Sequence, residues 1–91
     1  MAEQYTVMQA SRGEAVAFIT VEFPAHFTVA GIRERAEAMG MDFESIEERI
    51  ILIDAASHGR LRENIHDLLA TLAHVIKTYK VKHTVIEYPL A

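Results

Sequence analysis

Three acidic residues follow short apolar runs in this chain: Glu22 after residues 15–21, Asp54 after residues 50–53, and Glu87 after residues 84–86. If those runs are buried strands, the carboxylates sit at the edge where open α/β sheets bind their ligands. Two or three carboxylates gathered there can hold a hydrated Mg²⁺ or activate a water. The plainer reading is that acidic residues end strands because water solvates them there. The histidines are His26, His58, His66, His74 and His83. No two of them are three or four apart, the spacing that places a zinc-binding pair on one helix face. His58, in the stretch Ser57-His58-Gly59-Arg60, is the one nearest the predicted strand ends. Ser11, Ser45 and Ser57 lack the Gly-x-Ser-x-Gly setting of an activated serine. There is no cysteine, which excludes disulfides and thiolate metal sites. The 4 glycines are scattered at positions 13, 31, 40 and 59, so no clustered backbone N–H groups can cradle a triphosphate.

The elements that must position the carboxylates follow from the apolar pattern. Ala2, Tyr5, Met8 and Gln9 stand at helical spacing, and Gly13 is a plausible stop, so residues 2–11 are predicted helical. Residues 15–21 are almost continuously apolar, the habit of a strand buried on both faces, and Pro24 ends the run. From Phe27 to Met39, Ile32, Ala36 and Met39 alternate with charged residues, which predicts an amphipathic helix with Gly40 just beyond it. Residues 42–48 suit one further helical turn. A second buried strand covers residues 50–53, and a loop residues 55–59. Ile65, Leu68, Leu69, Leu72, Val75, Ile76 and Tyr79 recur at steps of three and four, predicting a helix over 61–79. Residues 84–86 give a third strand, which Pro89 stops.

Alternating helices and strands imply an α/β fold with a parallel sheet and right-handed crossovers. The most apolar strand is the first, which places it in the centre and gives a three-stranded sheet of order 2-1-3 with helices on both faces. Under that order Glu22 and Glu87 flank the point where the strand order reverses, while Asp54 lies on the outer strand. With 91 residues, the chain has length for one domain, 1–91. Its hydrophobic share of 51% is slightly above the usual, which suggests a dense core or an apolar surface covered by a partner. A net charge of -4 with scattered basic residues gives no nucleic-acid footprint. No apolar run approaches a membrane span and no signal peptide is visible, so the expected compartment is cytoplasmic.

Several segments then point the same way. They are residues 12–22 (Arg-Gly-Glu-Ala-Val-Ala-Phe-Ile-Thr-Val-Glu), residues 33–42 (Arg-Glu-Arg-Ala-Glu-Ala-Met-Gly-Met-Asp), residues 51–55 (Ile-Leu-Ile-Asp-Ala), and the long helix running into residues 81–86. In this order they resemble the KaiC-like ATPases of the RecA superfamily, from about residue 4 to residue 86. The resemblance implies a partial RecA-like core of the P-loop NTPase type, with residues 2–11 as the tail of the phosphate-loop helix. It places Glu22 on the catalytic-glutamate position, where it would polarise the attacking water. Phe23 follows where the family often has a second acid. It places Glu87 on the cofactor-binding Walker B position, where aspartate is usual. The family binds ATP and Mg²⁺, but its leading phosphate loop and trailing strands have no counterpart here.

The expected function is therefore a truncated or pseudo-ATPase module of KaiC/RecA type without autonomous ATP hydrolysis. No cofactor is expected for this chain alone, and no metal site. It would act through self-association or a partner, as a homo-oligomer joined at the uncovered edge of the third strand. The alternative is a small Mg-dependent or nucleotide-binding protein that uses the acidic strand ends. An unrelated interaction domain of the same α/β pattern is the third possibility.

Overall fold

A computed structural model describes residues 2–87. Helix α1 spans Ala2–Ser11, strand β1 Val16–Thr20, and helix α2 Ala25–Ala38. A single turn, α3 at Phe43–Ile46, runs through a 3₁₀ turn at Glu47–Arg49 into strand β2, Ile50–Asp54. Helices α4 (Gly59–Glu63) and α5 (Ile65–Tyr79) precede strand β3, His83–Glu87. The sheet is parallel with order β2-β1-β3, as the sequence pattern requires. No helix among the described residues is long and apolar enough to cross a membrane.

The central strand explains the two-sided packing. All five residues of β1 are buried. Phe18 faces a core made with Val7 and Ala10 of α1, Ile32 and Ala36 of α2, and Phe43 and Ile46 of α3. Ala17 and Ile19 face the opposite core, with Ile53, Ala55 and the α5 residues Leu68 and Val75. Alternation along one strand thus feeds two separate cores, one per face. On α1 the inward positions are Thr6, Val7 and Ala10, whereas Tyr5 of the predicted stripe is exposed. The glycines at the helix ends do what their backbone freedom allows. Gly40 takes a φ of 76°. Its N–H donates to the Glu37 carbonyl and that of Met41 to the Ala36 carbonyl, which closes α2 in a Schellman turn.

Two helix boundaries differ from expectation, each for a side-chain reason. α2 begins at Ala25, two residues before Phe27, because the Asp54 carboxylate accepts the Ala25 N–H at 3.1 Å. The predicted helix over 61–79 is two helices, and the predicted loop 55–59 gives way to α4 at Gly59. Asn64 leaves the helical region (φ -119°, ψ 103°), and its side chain accepts the N–H groups of His66 and Asp67 at 3.0 and 3.3 Å. It therefore caps α5 afresh and breaks the run. At the other end Lys80 adopts φ 54°, a left-handed cap usually filled by glycine.

Candidate functional site at the strand ends

The register brings the carboxyl ends of the strands level. Thr20 pairs with Asp54 on one side and Glu87 on the other. Two strand spacings therefore separate the Asp54 and Glu87 backbones, roughly 10 Å. Glu22 lies two residues beyond the end of β1 and is exposed, without a hydrogen bond or ion pair to the described residues. Among the described residues no three His, Cys, Asp or Glu side chains gather closely enough to hold a metal ion.

Asp54 is fully engaged by the backbone. Its Oδ2 accepts the Ala25 N–H at 3.1 Å and its Oδ1 the Ser57 N–H at 2.9 Å. Burial works against its ionisation, but the Ser57 and Ala25 N–H donors, the Ser57 hydroxyl and nearby His58 outweigh it and hold the carboxyl below its ordinary range. The group stands at the start of α2, where the helix dipole also favours a negative charge.

Glu87 is shifted the other way. Burial pushes its carboxyl above the ordinary range, and the adjacent Glu3 carboxylate on α1, which hydrogen-bonds with it, adds to the rise. The hydrogen bond between the two side chains ties α1 to β3. Between Asp54 and Glu87 the Thr20 hydroxyl is buried without a partner among the described residues, as is that of Thr28 on α2. Glu22, Asp54 and Glu87 thus share one edge of the sheet, but each has a separate environment.

A second polar constellation lies at the opposite, amino end of the strands. His83, the first residue of β3, pairs in register with Val16, the first of β1. Its Nε2 lies 2.7 Å from Glu14 Oε1, and its Nδ1 lies 2.9 Å from the Tyr5 hydroxyl. The His83 hydrogen bond holds the Glu14 carboxyl below its ordinary range. Beside it opens a cleft of about 480 Å³ that reaches Glu48, Arg49, Tyr79, Lys80 and Lys82. Sequence reasoning named His83 but gave it no role, because its partners stand 69 and 78 positions away. Only the parallel register of β1 and β3 could have suggested the meeting.

Comparison with known families matches residues 1–88 to the family model of the KaiC ATPase. No curated protein and no solved structure matches the chain. The family match covers nearly the whole sequence, and the chain belongs to the KaiC ATPase family. Members of this family use ATP and Mg²⁺. The described residues do not fit those ligands unaided. The carboxylates at the strand ends are capping α2, paired with Glu3, or isolated, and no glycine-rich loop faces them.

Proposed function

We propose that this member of the KaiC ATPase family is a pseudo-ATPase module that does not hydrolyse ATP alone and works by associating with itself or a partner through the β3 edge. The observation that carries this reading is the commitment of Asp54 and Glu87 to intrachain partners. Phosphoryl transfer depends on positioning and charge stabilisation. A carboxylate already saturated by backbone N–H groups, or hydrogen-bonded to another acid, is poorly placed to bind Mg²⁺ or take a proton from water. The sequence adds that no phosphate-binding loop or P-loop lysine occurs within these 91 residues. Glu22 remains the residue for the catalytic-glutamate position and Glu87 for the Walker B position, both inherited roles without the partners those roles need. Among the described residues no strand pairs with the outer edge of β3, which supports association, since an unpaired strand edge is a template for another strand. The cytoplasm is the compartment that suits a cysteine-free chain of this kind.

Steady-state ATPase assays and an NMR titration with Mg²⁺ and ATP test the reading. It expects no turnover above background and no specific shifts at Glu22 or Glu87. Specific shifts there together with turnover would establish the alternative, a small Mg-dependent nucleotide-binding protein.

A further inference from the structure

Helix α5 carries more apolar surface than its own sheet uses. Leu68 and Val75 are buried against β1 and β2. Yet Ile65, Leu69, Ile76 and Tyr79 are 58%, 54%, 39% and 55% exposed. At 3.6 residues per turn, Ile65, Leu69 and Ile76 are rotated about 60–100° from the Leu68–Val75 line. They therefore face sideways along the sheet, while Lys77 faces outward to water. The right-handed crossover from β2 through α5 to β3 turns this side toward β3. There, among the described residues, the sheet is bare. Thr84 and Ile86 are exposed on the α5 face, with Ile86 at 45%, while α1 packs on the other face of β3. The α5 stripe is the wall of one trough, Ile86 its floor, and the β3 edge, unpaired among the described residues, its open side.

We propose that this trough is a self-association face. Two copies pair antiparallel through β3 about a two-fold axis at Val85, and their α5 stripes close over the seam. The proposal rests on the association reading above and gives it a geometry. The strand sequence His-Thr-Val-Ile-Glu is self-complementary in this register. It sets His83 against Glu87 of the second copy, twice, and Thr84 against Ile86, so that an imidazole stands opposite a carboxyl across the ladder, a pairing of hydrogen-bonding groups that side-chain pairs in a sheet favour. His83 and Glu87 lie on the α1 face, where each already has an intrachain partner in Glu14 and Glu3. The other free edge, β2, lacks this match. Its self-pairing would set the apolar Ile50 against the Asp54 carboxylate.

Spacing supports the same arrangement. Of the strands, α5 packs most closely on β1. Across the seam the two central strands stand three strand spacings apart, ~14 Å, against a diameter of ~10–12 Å for a helix with side chains. The two Ile86 side chains rise into the remaining gap. On the other face α1 lies over both β1 and β3. That sets the two α1 helices ~10 Å apart, an ordinary helix-packing distance. The four apolar residues Ile65, Leu69, Ile76 and Ile86 offer roughly 400 Å² per copy, about half of the ~800 Å² a standard interface needs, and the strand edge and the α1 contact supply the rest.

Cysteine substitution tests the axis directly, because the chain contains no native cysteine. Residues opposite one another in an antiparallel ladder have Cα atoms ~4.5–5.5 Å apart, within disulfide range. Val85→Cys is therefore expected to form a covalent dimer under mild oxidation, whereas Leu52→Cys, at the centre of β2, stays monomeric. Sedimentation of the full chain from micromolar to millimolar concentration should show a monomer–dimer equilibrium. Ile86→Lys and the double variant Leu69→Lys/Ile76→Lys should each weaken it at least tenfold. Phe27→Lys, on α2 and 61% exposed in the native chain, should leave it unchanged. Circular dichroism checks that each variant is folded. A wild-type chain that is monomeric at millimolar concentration, with no Val85→Cys cross-link, would overturn both this proposal and the association reading. A wild-type dimer that cross-links through Leu52→Cys, or ignores the α5 substitutions, would overturn this geometry and leave association standing.

Discussion

Asp54 offers the sharpest test, because its two possible roles predict opposite signs. A carboxylate held ready for a metal ion tends to destabilise the metal-free fold, so removing its charge should be neutral or stabilising. A carboxylate that caps a helix should be missed. Here Asp54 accepts the Ala25 N–H at 3.1 Å and the Ser57 N–H at 2.9 Å. Loss of a helix-capping acceptor costs about 1 kcal/mol, and a hydrogen bond to a charged group contributes about 1.5–3 kcal/mol. Asp54 is half-buried, so the lower part of that range applies and water replaces some of the loss. We expect Asp54→Ala to cost about 2–3 kcal/mol at pH 7, and Asp54→Asn, which keeps one acceptor, about 1–2 kcal/mol. For a chain of this size each kcal/mol moves Tm by about 4–8 °C, so the alanine variant should melt ~8–24 °C below the parent. The pH dependence adds a second reading. The folded carboxyl lies below its ordinary value of 3.8. Its contribution is therefore complete above that value and lost as the pH falls through the folded value. The gap between parent and Asp54→Asn should be constant from pH 5 to 8 and close as the solution is acidified below about pH 4. Thermal melts by circular dichroism across that range decide the matter. An asparagine variant as stable as the parent at neutral pH would refute the capping role.

Other predictions concern the ends of β3 and α5. Glu87 has a carboxyl raised above 4.5, so its favourable contribution is complete below the unfolded value and lost as the pH rises through the folded one. Glu87→Gln should therefore gain on the parent in melts between pH 5 and 8, and a parent that gains on the variant with rising pH would contradict the raised carboxyl of Glu87. Lys80 holds a left-handed backbone with φ 54°. The strain is about 1–2 kcal/mol, partly offset by the greater unfolded-state freedom of glycine, so urea titration should find Lys80→Gly more stable by ~0.5–1 kcal/mol.

The fold was legible because β1 announces itself. Five consecutive buried residues admit only a strand covered on both faces, and a central strand with helical crossovers leaves few arrangements. The helix starts were harder. Asp54 caps α2 from 29 positions away, and no local rule finds such a cap. Asn64 did carry a local signal, as a good N-cap residue, but the strong three-and-four spacing from Ile65 onward masked the break before it. The α1 stripe misled because Thr6 is buried while Tyr5 turns outward to reach His83. At the strand ends the sequence indicated where the acids lie, since residue order fixes the edge. Their partners depend on which face each side chain takes, and one step along a strand reverses that face.

That reversal organises β3. Its odd-numbered residues, His83, Val85 and Glu87, turn toward α1, where the two polar ones join Tyr5, Glu14 and Glu3. Its even-numbered residues, Thr84 and Ile86, turn toward the side that α5 leaves open. One strand therefore ties the first helix to the sheet with one face and presents apolar surface with the other. The two roles are linked through the same backbone. Any change that loosens α1 from His83 or Glu87 also frees the edge residues beside Ile86. Stability of the α1 packing and strength of association should consequently move together under substitutions on the α1 face of β3. Substitutions on the α5 stripe should alter association alone, because Ile65, Leu69 and Ile76 leave the buried contacts of Leu68 and Val75 in place.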